Sequence, residues 1–260
     1  MHQCGPLRVH QFPCLQDNYG FLLRDEASGT VAAVDTPDAG RIIEEAESLG
    51  WSIDLVLNTH WHPDHTGGNE EVAKHYGCPV IAPEAEAEKI PFKDKTLRGG
   101  ETVSVGGTTF QVLDVPGHTL GHIAYYSAEA QAAFVGDTVF SMGCGRMFEG
   151  TADVFWGSLE TLRKLPAETL FFCAHEYTAA NARFAISIDG DNRDLQQRVQ
   201  EVEALRREGE PTVPVRLADE LKINPFLRSD ESAMAQSLGL PTSTAASEVF
   251  GELRRRKDNF

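Results

Sequence analysis

The chain has 260 residues, 41% hydrophobic and 24% charged, which fits one large domain or a domain with a smaller companion. A formal net charge of −16 disfavours nucleic acid as a partner. No run approaches the roughly 18 apolar residues of a membrane span, and the first twenty residues lack the basic flank and apolar stretch of a secretion signal. The five cysteines, Cys4, Cys14, Cys78, Cys144 and Cys173, are odd in number and scattered. That usage reads as a reduced, cytoplasmic protein.

In chain order, Phe21–Leu23 and Val31–Val34 read as strands around a turn at Ala27–Gly29. Asp38 is placed to cap a helix over Ala39–Leu49, stopped by Gly50. Leu55–Leu57 is a short buried strand. A loop follows, in which Pro63 opposes a regular helix, and Asn69 is placed to cap a helix ending near Gly77. Val80–Ile81, Thr102–Val105, Thr109–Val115, Ile123–Tyr126 and Ala132–Val135 read as strands, Phe155–Leu165 as a helix and Leu170–Cys173 as a last strand. After His175 the pattern turns helical, over Ala179–Ile188 and Leu195–Arg207, with no further strand expected. The predicted division is a mixed α/β body, residues 1–175, and a helical tail, residues 176–260.

The chemistry concentrates in Thr59-His60-Trp61-His62-Pro63-Asp64-His65. Three histidines and an aspartate fall within six residues, and imidazole with carboxylate suits zinc or iron. A lone histidine here would read as a polar surface group; an HxHxDH cluster reads as a metal site. Three further candidates repeat one arrangement of apolar run, small residue, polar group: His118 after Gly117, Asp137 after Gly136 and His175 after Ala174. Taken singly, each is equally well a hydrogen-bonded strand-end residue. Seven donors exceed what one tetrahedral ion takes and suit two.

This spacing, followed by a distant His, an Asp and a His, resembles the ligand order of the metallo-β-lactamase superfamily. The resemblance implies an α/β fold, a four-layer αββα sandwich with a C-terminal helical domain. It implies that His60, His62 and His118 hold one ion and Asp64, His65 and His175 the other, with Asp137 bridging. Asp64 and Asp137 are the expected catalytic carboxylates, both acting as ligands rather than free bases. Asp35, in Val34-Asp35-Thr36-Pro37, matches an early motif of that superfamily, where it supports the site; a plain turn residue is the competing reading.

Within the superfamily the chain resembles glyoxalase II. Gly143-Cys144-Gly145-Arg146-Met147-Phe148 is similar to the segment after the bridging Asp, with Arg146 at a glutathione-contacting position. Phe148 stands where many members carry Tyr, which removes one hydroxyl. His175-Glu176-Tyr177 matches the last ligand and a glutathione-contacting Tyr. Asn224-Pro225-Phe226 matches a segment of the helical part, and Arg254 and Lys257 stand where the family binds glutathione carboxylate. A basic run Arg254–Lys257 on so acidic a chain suits a substrate carrying two carboxylates; a solvated helix end is the alternative. Cys144 has no base partner in the motif and reads as a packed cysteine.

The resemblance implies hydrolysis of S-(2-hydroxyacyl)glutathione thioesters such as S-D-lactoylglutathione. It implies two divalent metal ions per chain, zinc first, with iron or manganese as alternatives. A cytoplasmic monomer with no nucleic-acid or membrane partner is expected. The competing readings are a mononuclear-iron persulfide dioxygenase, another thioesterase or lactonase of the same fold, and an inactive module with structural zinc.

Overall fold

The computed structural model describes every residue from Met1 to Phe260. Its first compact unit comprises Met1–Asp114 and Thr119–Gly136, its second Val115–His118 and Asp137–Phe260. No helix is long and apolar enough to cross a membrane.

In the first unit, β1 (His2–Cys4), β2 (Leu7–Cys14), β3 (Asn18–Asp25) and β4 (Val31–Val34) form an antiparallel meander. The sheet continues in parallel through β5 (Leu55–Leu57), β6 (Val80–Pro83) and β7 (Lys95–Leu97). Parallel neighbours need a crossover. Helix α1 (Ala39–Ser48) joins β4 to β5; α2 (Pro63–Thr66) and α3 (Asn69–Tyr76) lie between β5 and β6. The Asp38 side chain accepts the Arg41 N–H, capping α1 as its sequence predicts. The helix buries Ala39, Ile42 and Ala46 at i, i+3 and i+7, packing them with Leu22, Val56 and Val72.

A second set of strands, β8 (Thr102–Val105), β9 (Thr108–Asp114), β10 (Ile123–Ser127) and β11 (Ala132–Gly136), is antiparallel in the order β11-β10-β9-β8. Along β9, buried Thr108, Phe110 and Val112 alternate with exposed Thr109 and Gln111, the period of a strand with one face in the core. Phe134 of β11 meets Phe21 of β3 edge-on at 5.6 Å and Phe110 at 6.2 Å. The Phe21–Phe134 pair therefore spans the two sheets, with Phe110 packed beside it.

The second unit holds a tight hairpin, β12 (Val139–Phe140) with β13 (Gly143–Cys144), then α4 (Ala152–Arg163) and β14 (Leu170–Cys173). Helices α5 (Thr178–Ile188) and α6 (Arg193–Arg207) follow, then β15 (Val215–Arg216), α7 (Leu217–Ile223), α8 (Ser232–Ser237) and α9 (Ala246–Asp258). Met142, Ala182, Leu195, Val202 and Ile223 pack into one apolar cluster.

Four expectations need correction. Pro63–Thr66 is a single helical turn, because Pro63 sits at its first position, where no N–H is required. Asn69 does not cap α3; Gly68 does, and the Asn69 amide is bonded to Asn58. Helix α4 begins three residues early because the Thr151 hydroxyl accepts the Val154 N–H. A strand does follow His175: the two residues of β15 pair with Leu170 and Phe171, too short a run to show periodicity.

Candidate metal centre and substrate cavity

In the first unit, His60, His62, Asp64 and His65 leave the end of β5. Their loop is fixed from below. Thr36 N and Asn58 Nδ2 donate to the His65 carbonyl at 2.8 and 3.2 Å. The Tyr125 hydroxyl donates to the Asn58 carbonyl at 2.8 Å.

Asp35 organises the ligands. It is buried, with a left-handed φ of 57° that Asp tolerates better than most residues. Its carboxylate accepts the Thr59 N–H, the Thr59 hydroxyl and His65 Nδ1, each at 2.8 Å. Because the Thr59 hydroxyl donates to Asp35, its oxygen accepts from His60 Nδ1 at 3.0 Å. Both rings therefore carry their proton on Nδ1 and present the Nε2 lone pair, the tautomer a metal requires. His60 Nε2 lies 3.0 Å from His62 Nδ1, close to the roughly 3.3 Å between two nitrogens on one tetrahedral zinc. His65 Nε2 faces Asp64 Oδ2 at 3.5 Å, and Asn18 Nδ2 donates to that same oxygen at 3.1 Å. A lone pair opposite a carboxylate is repulsive unless a cation lies between them, so these donors fit a metal ion.

The second unit repeats the logic. Gly117 has φ 146°, and a Cβ there would lie 2.3 Å from the Phe155 ring, so the turn that delivers His118 demands glycine. His118 Nδ1 donates to the Arg146 carbonyl at 2.8 Å, which turns its Nε2 lone pair to Asp137 Oδ2 at 3.4 Å. On the other side His175 Nε2 stands 3.3 Å from Asp137 Oδ1. One carboxylate thus stands between two imidazole nitrogens. His118, Asp137 and His175 are all buried, so these polar groups need partners. The histidines and aspartates of both units include groups able to bind metal.

A cavity of about 420 Å³ opens beside His118 and Asp137 in this second unit. Phe140, Phe148 and Tyr177 supply its aromatic walls, and Arg146, Arg254 and Lys257 its charge. Tyr177 stacks on His175, with centroids 4.7 Å apart and planes within 2°. Phe148, 60% exposed, sits 5.3 Å from His118. Gly145 has no room for a side chain: its Cβ would lie 2.0 Å from the Asp137 carbonyl.

The basic run is helical, in α9, and only half of it faces the cavity. Arg255 and Arg256 are bonded to Glu252. Arg254 is buried, and the structure engages most of its donors within the protein. Nη1 reaches the Cys144 carbonyl at 3.0 Å and the Gly145 carbonyl at 3.4 Å; Nε and Nη2 reach Asp258. One Nη2 N–H remains for a ligand. Lys257 is half-buried and donates to the Ala180 carbonyl at 3.0 Å, which leaves two N–H groups. Burial, with Arg254 and Arg183 nearby, pulls the Lys257 ammonium down to about 8. Burial pushes the Cys144 thiol up to about 11, so it is neutral and no nucleophile.

Sequence patterns pass over several residues of these shells. Glu86 accepts Trp61 N and Gly121 N, both at 2.9 Å, and so braces the histidine loop. It lies in the run Glu84–Lys89, which reads as a solvated acidic face. His122 stacks on His60 at 4.6 Å. Its position after Gly121, directly before β10, is the one sequence signal that singles it out.

Comparison with known proteins identifies the family. Residues 30–175 match the family model of the metallo-beta-lactamase superfamily, and residues 176–260 that of the hydroxyacylglutathione hydrolase C-terminus. The chain is 51% identical to the hydroxyacylglutathione hydrolase of Hyphomonas neptunium, over 98% of each chain. It is 52% identical to that of Erythrobacter litoralis, over 98% of this chain and 100% of the other. The crystal structure of ETHE1 from Myxococcus xanthus superposes with a TM-score of 0.69 at 23% identity, over 95% of this chain and 90% of that one. The expected metallo-β-lactamase fold, mixed α/β layers with a helical C-terminal part, is thus the fold observed. By family and by fold, the chain is a member of the hydroxyacylglutathione hydrolase family.

Proposed function

We propose that this chain hydrolyses S-(2-hydroxyacyl)glutathione thioesters, with S-D-lactoylglutathione as the representative substrate, giving D-lactate and glutathione. One observation carries the reading furthest: Asp137 and His118 open onto the same cavity as Arg146, Tyr177 and Lys257. A site for water activation and a site for a thiol carrier with two carboxylates share one space. Relatives about 50% identical over nearly the whole chain bear the matching name. The persulfide dioxygenase alternative is not favoured.

His60, His62 and His118 would hold one ion; Asp64, His65 and His175 the other; and Asp137 would bridge. Zinc is the expected metal, with iron or manganese as substitutes. Bound there, two divalent ions supply a nucleophile from water at neutral pH and polarise the thioester carbonyl. Residues 1–175 are proposed as the catalytic body and 176–260 as the substrate-binding part, in a cytoplasmic monomer.

The chain's own residues do the rest. Lys257 and Arg146 hold the glutathione carboxylates, with the remaining Arg254 N–H as a third donor. Tyr177 and Phe148, which line the same cavity, contact the glutathione part of the substrate. The leaving thiolate, with a pKa of about 8.5, departs without a strong acid. Asp64 and Asp137 act as ligands rather than as proton carriers.

Two measurements follow. Purified protein should destroy the thioester absorbance of S-D-lactoylglutathione, and a chelator should abolish this. No turnover by fully metallated protein would overturn the substrate assignment. Because the Lys257 ammonium titrates near 8, it is charged below that pH and neutral above it. KM should therefore rise as pH passes through 8, and Lys257→Met should flatten that rise. A KM independent of pH from 7 to 9 would remove Lys257 from carboxylate binding.

A further inference from the structure

The hairpin Val139–Cys144 stands between the ligand Asp137 and Arg146, and it contributes Phe140 and Cys144 to the cavity wall. The Phe140 ring meets His175 edge-on at 5.8 Å and Tyr177 at 5.2 Å. Its turn residue Met142 has φ 54°, a left-handed conformation that is strained for a side-chain-bearing residue. Something must hold it there.

Three buried side chains converge on this turn. Glu220 of α7 accepts the Met142 N–H at 2.8 Å and the Ser141 hydroxyl at 2.9 Å. Asn224 donates to the Phe140 and Gly143 carbonyls at 3.1 and 3.0 Å and to Glu220 at 2.9 Å. Asn181 donates to the Ser141 carbonyl at 3.1 Å. Glu220 is 1% exposed and Asn224 0%. A fully buried carboxylate is costly. Burial pushes the Glu220 carboxyl upward, and the hydrogen bonds from Met142, Ser141 and Asn224 oppose that shift. The apolar cluster around Met142 and Ile223 needs no such group for its packing.

We infer that Glu220, with Asn224, is a positioning residue for the substrate cavity: it clamps the Met142 turn and so fixes Phe140 and the Cys144–Arg146 wall against the substrate. The inference rests on the thioesterase reading of that cavity. Neither residue lines the cavity; both act through the hairpin, at its backbone and at the Ser141 hydroxyl.

The chemistry of the clamp selects the variants. Glu220→Ala removes both acceptors. Glu220→Gln keeps one oxygen for Met142 N–H and Asn224, and turns its amide to Ser141, whose hydroxyl can accept as well as donate. Full-length protein is compared for melting temperature, metal content, amide hydrogen exchange over residues 138–146, and kcat and KM for S-D-lactoylglutathione.

Losing these hydrogen bonds in Glu220→Ala should speed exchange of the segment by about tenfold or more, and raise KM by about tenfold with kcat within about threefold. Metal content should stay unchanged, and Glu220→Gln should restore both readouts. Unchanged exchange overturns the clamp; faster exchange with unchanged KM overturns its role in binding. Should Glu220→Ala not fold, Asn224→Ala, which frees the Phe140 and Gly143 carbonyls, is judged by the same criteria. Exchange is read without substrate, so absence of wild-type turnover counts against the thioesterase reading alone.

Discussion

Replacing Asp137 with alanine is expected to lower kcat/KM by on the order of 10³-fold or more and to release at least one metal ion per chain. Residues that only orient ligands cost about 10–100-fold when removed. Asp137 presents one oxygen to His118 at 3.4 Å and the other to His175 at 3.3 Å, so its loss affects both neighbours. Asp137→Asn keeps the shape and removes the charge. It should lose nearly as much, because a neutral amide does not balance two divalent ions. Metal analysis and steady-state kinetics on one sample check this. Full metal content with full activity in either variant would show that Asp137 bridges nothing.

Asp35 should give the second largest effect, by another route. It touches no substrate and, on this account, no metal. In Asp35→Asn one oxygen can still accept the Thr59 N–H, so the backbone turn survives. An amide N–H then faces the Thr59 hydroxyl and His65 Nδ1, both of which donate to the carboxylate in the native chain. At least one imidazole loses its Nδ1 partner and with it the preference for presenting Nε2. Metal affinity should fall about 10–100-fold, read by competition with a chelator. Asp35→Ala should add an unsatisfied buried N–H and lose about 1–3 kcal/mol of stability. Unchanged affinity in Asp35→Asn would mean that packing alone orients the rings.

These two residues differ in how openly the sequence displays them. His60, His62, Asp64 and His65 are legible because a strand-end loop presents several donors at one place only by crowding them in sequence. His118, Asp137 and His175 are legible because each follows an apolar run and a small residue, and at Gly117 the structure shows why: a Cβ would collide with Phe155. Asp35 is half-legible, since its motif is local but its partners lie 24 and 30 residues away. Glu86, Glu220 and Asn224 brace segments distant in sequence, contacts that leave no periodic trace. Arg254 to Lys257 form one basic run, and only the helical phase of α9 separates Arg254 and Lys257, three residues apart on the cavity side, from Arg255 and Arg256, which pair with Glu252. Hydrophobic period finds most strands and helices but passes over the eight-residue β2, which Pro13 interrupts, and reads only the middle of β3. It also fails at one-turn and two-residue elements such as α2 and β15, where a cap or a single pairing decides.

The most direct test of the account is a metal titration of stripped protein, with S-D-lactoylglutathione hydrolysis measured at each step. The proposed set of seven donors, with Asp137 as the bridge, predicts that turnover reaches its plateau at two zinc equivalents per chain and that Asp137→Ala abolishes the plateau. Full turnover at one equivalent, with the second ion absent or without effect, would contradict the two-ion site.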